Sequence, residues 1–513
     1  MGNGKRLAIN MVATIVAFIV NMGISFFLSP YVIEHVGVDA YGFVSLANNF
    51  VNYASIITLA LNSMAGRFIT IAIHKGNKEE ANKYFNSVLL ANIIICLVLL
   101  IPAIIMIIFL EKIINIPIDL TLDTKILFGF VFLNFALGII NTTYSIATFV
   151  RNRLDLNSKR NIESYIIKAI MLFVLFTFCT PKIAYIGIVS CIISLYIVIW
   201  NIKYTKQLLP EIEINKKFFE FKKIMEIIKS GIWNTITKMG QILADGLDLL
   251  ICNLFIDSVA MGQLSIAKTL SGVISNLLGT ISSIFQPQLT IYYAKNEINN
   301  LISELKRAMK ITGVFANIPL SYLIVFGSLF YSVWVPNQDI QLISILTILT
   351  VQGEIISGII TPMYSIYTVT NKIKVDAIIR LITGFVVVGV VFMFVKTTNL
   401  GIYAVAATSI ILGTIVNVTF VPIYVAKKCL NIKWNTFYPI ILRYISTTLI
   451  LIAVLFGIKH FIHMQNWVTV FGTAFITGIV GLICNYLLLF SNKEKKDLIN
   501  NLLKFIKRGE KQE

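Results

Sequence analysis

Charge is scarce in this sequence. Only 13% of its 513 residues are Asp, Glu, Lys or Arg, and 57% are hydrophobic. Soluble domains carry roughly 25% charged residues, so a mean hydropathy of +0.82 excludes a soluble globular protein and indicates a polytopic membrane protein. Acidic residues are the scarcer kind, 25 against 43 Lys and Arg, which leaves a net charge of +18. In a soluble chain that excess would suggest nucleic acid. Here the bases fall in loops beside apolar runs, where they suit anionic lipid headgroups, and no nucleic-acid partner is implied. The six cysteines (Cys96, Cys179, Cys191, Cys252, Cys429 and Cys484) are scattered, so neither a disulfide framework nor a metal site emerges. The four histidines are equally dispersed. No nucleotide-binding motif, metal cluster or nucleophile–base pair is present. The expectation is a transporter, not an enzyme, with no cofactor and no ATP hydrolysis. A long outer loop is lacking too, which argues against a membrane-embedded polymerase or ligase.

What the chain does have is long apolar runs. Crossing the hydrocarbon core takes about 20 residues, and on that rule about fourteen spans can be drawn. They run over 8–34, 41–73, 84–110, 124–150, 162–180, 183–202, 228–256, 259–292, 310–334, 341–370, 376–396, 401–426, 438–460 and 467–490. The first run follows Lys5 and Arg6 and is too long for a cleaved signal peptide. Alternate loops are basic: Lys75 and Lys78; Arg151, Arg153, Lys159 and Arg160; Lys203 to Lys229; Lys306, Arg307 and Lys310; Lys372 and Lys374; Lys427 and Lys428. The intervening loops, such as Thr397–Leu400 and Pro336–Ile340, are short and nearly uncharged. The positive-inside rule then places both termini in the cytoplasm. The segment Leu209–Lys229 mixes charges with aromatics and reads as an amphipathic linker on the inner surface, and the tail from Asn492 as a basic surface helix.

The chain repeats itself at a shift of 220 residues. Ala40-Tyr41-Gly42-Phe43-Val44-Ser45-Leu46-Ala47 matches Ala260-Met261-Gly262-Gln263-Leu264-Ser265-Ile266-Ala267, and Tyr144-Ser145-Ile146 matches Tyr364-Ser365-Ile366. One ungapped register over about a hundred residues indicates duplication. Six spans separate the equivalents, so the halves share an orientation and are related by a pseudo-twofold axis along the membrane normal. The expected organisation is an N-terminal six-helix bundle (1–203), a cytoplasmic amphipathic linker (204–227) and a C-terminal six-helix bundle (228–427). Two extra helices (428–490) and a cytoplasmic basic tail (491–513) follow.

Two spans carry residues that a bilayer disfavours. Asn234, Lys238, Gln241, Asp245 and Asp248 are spaced four, three, four and three apart, a single helical stripe. Lys268, Ser271, Ser275, Ser282 and Gln286 polarise the next span. Ionisable groups at such depth cost about 2.5–3.5 kcal/mol each on insertion scales, so these stripes must face one another, water or a substrate. The first half has less charged counterparts in Asn21, Asn48, Ser55 and Asn62; Glu354, Thr361, Ser365 and Thr368 pair with Asn134, Asn141, Ser145 and Thr148. The expectation is a central polar cavity lined mainly by spans one, two, seven and eight, with an Asp245–Lys268 pair near mid-depth. Lys168 reads as a snorkelling lysine, and Arg380 and Arg443 as interfacial anchors.

Fourteen spans in two equivalent sets of six plus two, with Asn21, Phe27-Leu28-Ser29-Pro30 and Val36-Gly37-Val38-Asp39-Ala40-Tyr41-Gly42, resemble the polysaccharide-transporter branch of the multidrug/oligosaccharidyl-lipid/polysaccharide (MOP) superfamily, in particular Wzx/RfbX-type O-unit flippases. The resemblance implies an all-α MATE/MurJ-like fold in the bacterial cytoplasmic membrane. It implies translocation of undecaprenyl-pyrophosphate-linked O-antigen or capsule units to the outer leaflet by alternating access, coupled to H⁺ or Na⁺. It implies membrane lipids, a polysaccharide polymerase and glycosyltransferases as partners. Lys238, Lys268 and Arg67 are then candidates for the pyrophosphate; Asn21, Asn48, Asn52, Asn62, Gln241 and Ser275 for the sugars; and Asp245, Asp248 and Glu354 for ion coupling. The alternatives are a MATE-type multidrug exporter and a lipid II flippase of MurJ type. The latter type carries several cavity arginines, whereas here lysines and carboxylates dominate.

Overall fold

The structure, a computed structural model, describes residues 3–462, 466–492 and 494–495. The described chain is helical. In order, it forms α1 (Asn3–Val36), α2 (Val38–His74), α3 (Lys78–Ile108), α4 (Thr121–Val150), α5 (Leu154–Phe178), α6 (Ala184–Leu208), α7 (Phe221–Gln241), α8 (Asp248–Phe255), α9 (Ser258–Ala294), α10 (Ile298–Trp334), α11 (Ile340–Val369), α12 (Ile373–Thr397), α13 (Ile402–Tyr424), α14 (Tyr438–Lys459) and α15 (Trp467–Leu488). Polar caps set several starts. Asn77 accepts from the Glu80 amide at 3.1 Å to open α3, and Asp339 from the Leu342 amide at 3.0 Å to open α11. Among the described residues, 13 helices are long and apolar enough to cross a membrane. The span expected at 228–256 is the difference from fourteen: it is α7 and α8 joined by a π-helical segment, Ile242–Gly246. Of the predicted basic tail, only the start lies within the described residues.

By residue contacts the chain forms two compact units. The first comprises Met1–Ser265 and Ala377–Val405. In it α2, α3 and α4 share a core around Leu61, Ile69, Phe85, Val88 and Ala147, joined by Leu209 and Ile227 from the linker and α7. The linker between α6 and α7 carries a short 3₁₀ turn at Lys216–Phe218, and α3 grips it by its backbone. Asn82 donates to the Glu211 carbonyl at 2.9 Å and accepts from the Glu213 amide at 2.7 Å; Asn86 donates to the Glu213 carbonyl at 2.8 Å and accepts from the Asn215 amide at 2.9 Å. The fit is geometric: side chains four apart on a helix stand about 6 Å apart, close to the two-residue repeat of an extended chain. Ser87 closes the series by exchanging hydrogen bonds with Glu220.

The second unit comprises Ile266–Asp376 and Ala406–Glu513. Its α10 carries fully buried Leu320, Phe326 and Tyr331. The last two helices are fixed to it by polar contacts. Asn317 and Asn485 exchange amide hydrogen bonds at 3.0 Å, and Asn317 also donates to Thr448 at 3.3 Å. All three are almost fully buried, where such pairs hold helices in register.

The duplication is visible in the turns. After α2, Gly76 and Asn77 donate to Ile73 and Ala72; after α9, Asn296 and Glu297 donate to Tyr293 and Tyr292, with Gly76 and Asn296 both at positive φ. The shift there is 220. After α4, Asn152 and Arg153 donate to Phe149 and Thr148; after α11, Asn371 and Lys372 donate to Thr368 and Tyr367. The shift there is 219, so the ungapped register is corrected by one residue. The α3 and α4 starts are 43 residues apart (121 − 78), those of α10 and α11 only 42 (340 − 298). Glu354 therefore corresponds to Phe135, not Asn134.

Candidate functional site

In the first unit α7 is held closely on two sides. A Cβ on Gly231 would lie 2.0 Å from the Ala60 carbonyl oxygen of α2, and one on Gly240 would lie 2.5 Å from the Arg380 carbonyl carbon of α12. Glycine is required at both points for backbones to meet. Between them, Asn234 donates to Ser63 of α2 at 3.2 Å.

Beyond Gln241 the helix widens into the π segment, which breaks the expected single stripe. A π turn rotates everything after it relative to a continuous α-helix. Asp245 is accordingly exposed, whereas Asp248 is only 3% exposed. The Gly246 carbonyl in the widened turn accepts two hydrogen bonds from α2: Tyr53 donates to it at 2.5 Å and Asn49 at 3.3 Å. Tyr53 and Asn49 were not among the sequence candidates. Their signal is weak, since each reads as an ordinary polar position on α2. Arg380, expected as an interfacial anchor, has its backbone packed at the level of Gly240, beside the polar stripe.

The remaining candidates divide by what they touch. Asn62 accepts from Asn92 at 2.9 Å, and Asn92 donates onward to Thr143, so Asn62 belongs to a junction of α2, α3 and α4. Asn48 returns its amide to the Val44 carbonyl of its own helix at 2.9 Å. Asn52 and Gln241 are exposed, as is Arg67; Lys238 and Asn21 are half-buried. Among the described residues, neither Lys238 nor Arg67 makes an ion pair. In the second unit Ser275 is exposed, and Lys268 and Glu354 are half-buried. Asp245 lies in the first unit and Lys268 in the second. The polar residues of α4 and α11 serve largely as helix contacts: Asn141 accepts from Asn201 at 2.8 Å, Asn134 from Ser194, and Asn417 bridges Tyr364 and Ser357.

Equivalent residues of the two repeats meet at the starts of α2 and α9. A Cβ on Gly42 would lie 2.9 Å from the Gly262 Cα, and one on Gly262 would lie 2.2 Å from the Val38 carbonyl oxygen. Ser265 donates to Ser45 at 2.5 Å. Both pairs are separated by 220 residues in sequence, as self-complementary contacts about a twofold axis must be. They lie at the helix ends remote from the basic loops.

Comparison with known proteins gives a consistent picture. A family model described as "polysaccharide biosynthesis protein" matches residues 7–289. The chain is 26% identical over 501 residues to the uncharacterized membrane protein EpsK of Bacillus subtilis (strain 168), covering 97% of this chain and 98% of that one. Among solved structures, the lipid II flippase MurJ in an inward closed conformation aligns with a TM-score of 0.67 at 15% identity, over 96% of this chain and 99% of MurJ. The MATE multidrug transporter DinF-BH in complex with R6G aligns with a TM-score of 0.63 at 13% identity, over 84% of this chain and 97% of that one. The fold is thus that of the MurJ and MATE transporters.

Proposed function

We propose that this chain, which belongs to the polysaccharide biosynthesis protein family, is the flippase for a polyprenyl-diphosphate-linked oligosaccharide. It carries the headgroup from the inner to the outer leaflet of the bacterial cytoplasmic membrane by alternating access, with both termini in the cytoplasm. One observation carries the substrate class: among the described residues, Lys238 and Arg67 of the first unit have no carboxylate partner. A cation left unpaired at such a position favours an anion that arrives with the substrate. Asn52, Gln241 and Ser275, all exposed, suit sugar hydroxyls. The carboxylates Asp245, Asp248 and Glu354 suit a coupling role, because a carboxylate in a low-dielectric site changes its charge with its surroundings. An undecaprenyl diphosphate carrying an O-antigen or capsule unit fits this description, and the glycosyltransferases and polymerase acting on that unit would be its partners.

A multidrug exporter is the second reading. The extent of likeness weighs against it, since a nearly complete MATE chain aligns with only 84% of this one, while MurJ aligns with 96%. The test is complementation of a flippase-null strain. Lys238→Ala, Lys268→Ala and Asp245→Ala should each abolish export of the glycan with membrane insertion intact, and Glu354→Gln should change its dependence on pH or Na⁺. Full activity in the first three would remove the assignment, and drug efflux without glycan export would favour the exporter.

A further inference from the structure

Asn92 of α3 is fully buried where α2, α3 and α4 meet. Its Nδ2 lies 2.9 Å from Asn62 Oδ1 on α2; on α4 it lies 3.0 Å from Thr143 Oγ1 and 3.4 Å from the Ile139 carbonyl. A backbone carbonyl only accepts, so the Ile139 oxygen fixes which end of the Asn92 amide faces the junction. Asn62 must answer that donor with its own Oδ1. The Asn92 Oδ1, turned the other way, is buried with no hydrogen-bond partner among the described residues. An unsatisfied buried oxygen is a cost that an apolar side chain at this position would not carry. What Asn92 adds, and a leucine would not, is the orientation of Asn62.

Asn62 sits at the edge of the buried face of α2. Leu61, Ala65 and Ile69 are buried and Ser63 and Arg67 exposed, with Asn62 itself half-buried. The two ends of a carboxamide point apart, so with Oδ1 committed to Asn92 the Asn62 Nδ2 is turned away from the junction. That nitrogen makes no hydrogen bond among the described residues and is not a buried atom. The open face beside it carries Asn52, Ser63 and Arg67, polar groups that suit a protein or water surface and not lipid. The amide is thus held with its acceptor inward and its donor outward.

Among the described residues, the duplicated half does not repeat this arrangement. Ser282 and Thr312 stand where the first half has Asn62 and Asn92, and Thr312 gives its hydroxyl to the Ala308 carbonyl of its own helix at 2.9 Å. The orienting contact belongs to the unit that holds Arg67 and Lys238.

A sugar hydroxyl both donates and accepts, so it can meet either end of an amide; a phosphoryl oxygen meets only the NH2 end. We propose that Asn92 is a positioning residue: it holds Asn62 with Nδ2 outward, and Asn62 so held donates to the diphosphate of the lipid-linked substrate. The inference rests on the flippase reading and moves Asn62 from the sugars to the diphosphate.

The test is a double-mutant cycle on full-length protein in phosphatidylcholine nanodiscs, with farnesyl diphosphate as the probe and empty nanodiscs as the blank. Asn62→Ala should weaken binding about tenfold, the loss expected for one hydrogen bond to a charged group. Asn92→Leu should weaken it by about threefold or more, because the Asn62 amide then turns freely and its preorganisation is lost. In the Asn62→Ala background, Asn92→Leu should add less than about twofold, since it acts only through Asn62. A purely structural Asn92 would add its full loss in both backgrounds, and that result would overturn the proposal. If Asn92→Leu does not insert, Thr143→Val takes its place. This isosteric change removes one acceptor that holds Asn92, and should weaken binding about twofold only while Asn62 is present. Unchanged binding in Asn62→Ala would remove the donor role and leave the flippase reading standing. If the wild type binds no prenyl diphosphate, both fall.

Discussion

The contact between Gly42 and Gly262 makes a quantitative prediction about the transport cycle. Replacing Gly262 by Ala puts a methyl group 2.2 Å from the Val38 carbonyl oxygen, a rigid backbone atom. Ordinary contacts begin beyond 3 Å, so the starts of α2 and α9 must part by about an ångström. Overpacking of this kind costs about 1–3 kcal/mol, and the Ser265–Ser45 hydrogen bond weakens with it. If the contact exists in only one state of the cycle, that state loses about 5- to 150-fold in population. The assay is cross-linking in a background lacking the six natural cysteines. Ser45→Cys and Ser265→Cys replace oxygens 2.5 Å apart, within reach of disulfide geometry. Oxidation should join them rapidly, halt glycan export, and be reversed by reductant. Adding Gly262→Ala should slow the cross-link at least fivefold. Gly42→Ala should slow it less, because one of the atoms its methyl meets is the flexible end of Met261. An unchanged cross-linking rate in Gly262→Ala, or undiminished export by the cross-linked protein, would refute the idea that this contact opens and closes.

Three further outcomes follow from single contacts. Asn86→Leu removes both hydrogen bonds to the linker and leaves two peptide groups unsatisfied, at about 1–3 kcal/mol, so trypsin should cut at Lys216 and Lys217 markedly faster than in wild type. Asn485→Leu removes the donor to the buried Asn317 side-chain carbonyl and should lower thermal stability in detergent by about 1–2 kcal/mol; adding Asn317→Leu should recover part of that loss. Tyr53→Phe removes the shorter of the two side-chain hydrogen bonds to the Gly246 carbonyl of the π segment, and hydrogen exchange at residues 242–248 should accelerate while α7 is unchanged.

Topology was legible because bilayer thickness imposes a length that hydropathy records directly. The span expected at 438–460 is α14, at Tyr438–Lys459, and the span expected at 467–490 is α15, at Trp467–Leu488. The duplication was legible for a similar reason: Ala40 to Ala47 and Ala260 to Ala267 preserve the small residues that a close crossing requires. The π segment was not legible. Ile242-Leu243-Ala244-Asp245-Gly246 suits a continuous α-helix by propensity. What admits the extra residue is a pair of donors on α2, some 190 residues away, and no local pattern encodes them. The one-residue change of register was hidden because Tyr144-Ser145-Ile146 and Tyr364-Ser365-Ile366 match by identity while the turns that end their helices do not. Nor could spacing separate a polar residue that binds its neighbour, such as Asn62, from one left open, such as Asn52.

That separation changes what the polar stripes mean. Read as periodicity, the polar seams on the first, second and fourth spans of each half line one cavity, mainly on spans one, two, seven and eight. Read by partner, most of those on α4 and α11 join helices within a unit: Asn134, Asn141, Ser357 and Tyr364 are all engaged. The residues left open are fewer, and among the described residues of the first unit they include two cations on these spans, Arg67 and Lys238. Sequence placed Lys238 in the second half of the chain and so suggested that charge is concentrated there. In space, α7 packs against α2 through Gly231 and against α12 through Gly240, all within the first unit. One of these bases therefore comes from the first repeat and one from the second, both on one body. An anion held by that set would be shared between repeats from the moment it bound. Neutralising Arg67 alone should then weaken prenyl diphosphate binding less than neutralising Arg67 and Lys238 together. Strict additivity of the two losses in binding free energy would mean that the two bases hold separate ligands, or different stages of the same passage.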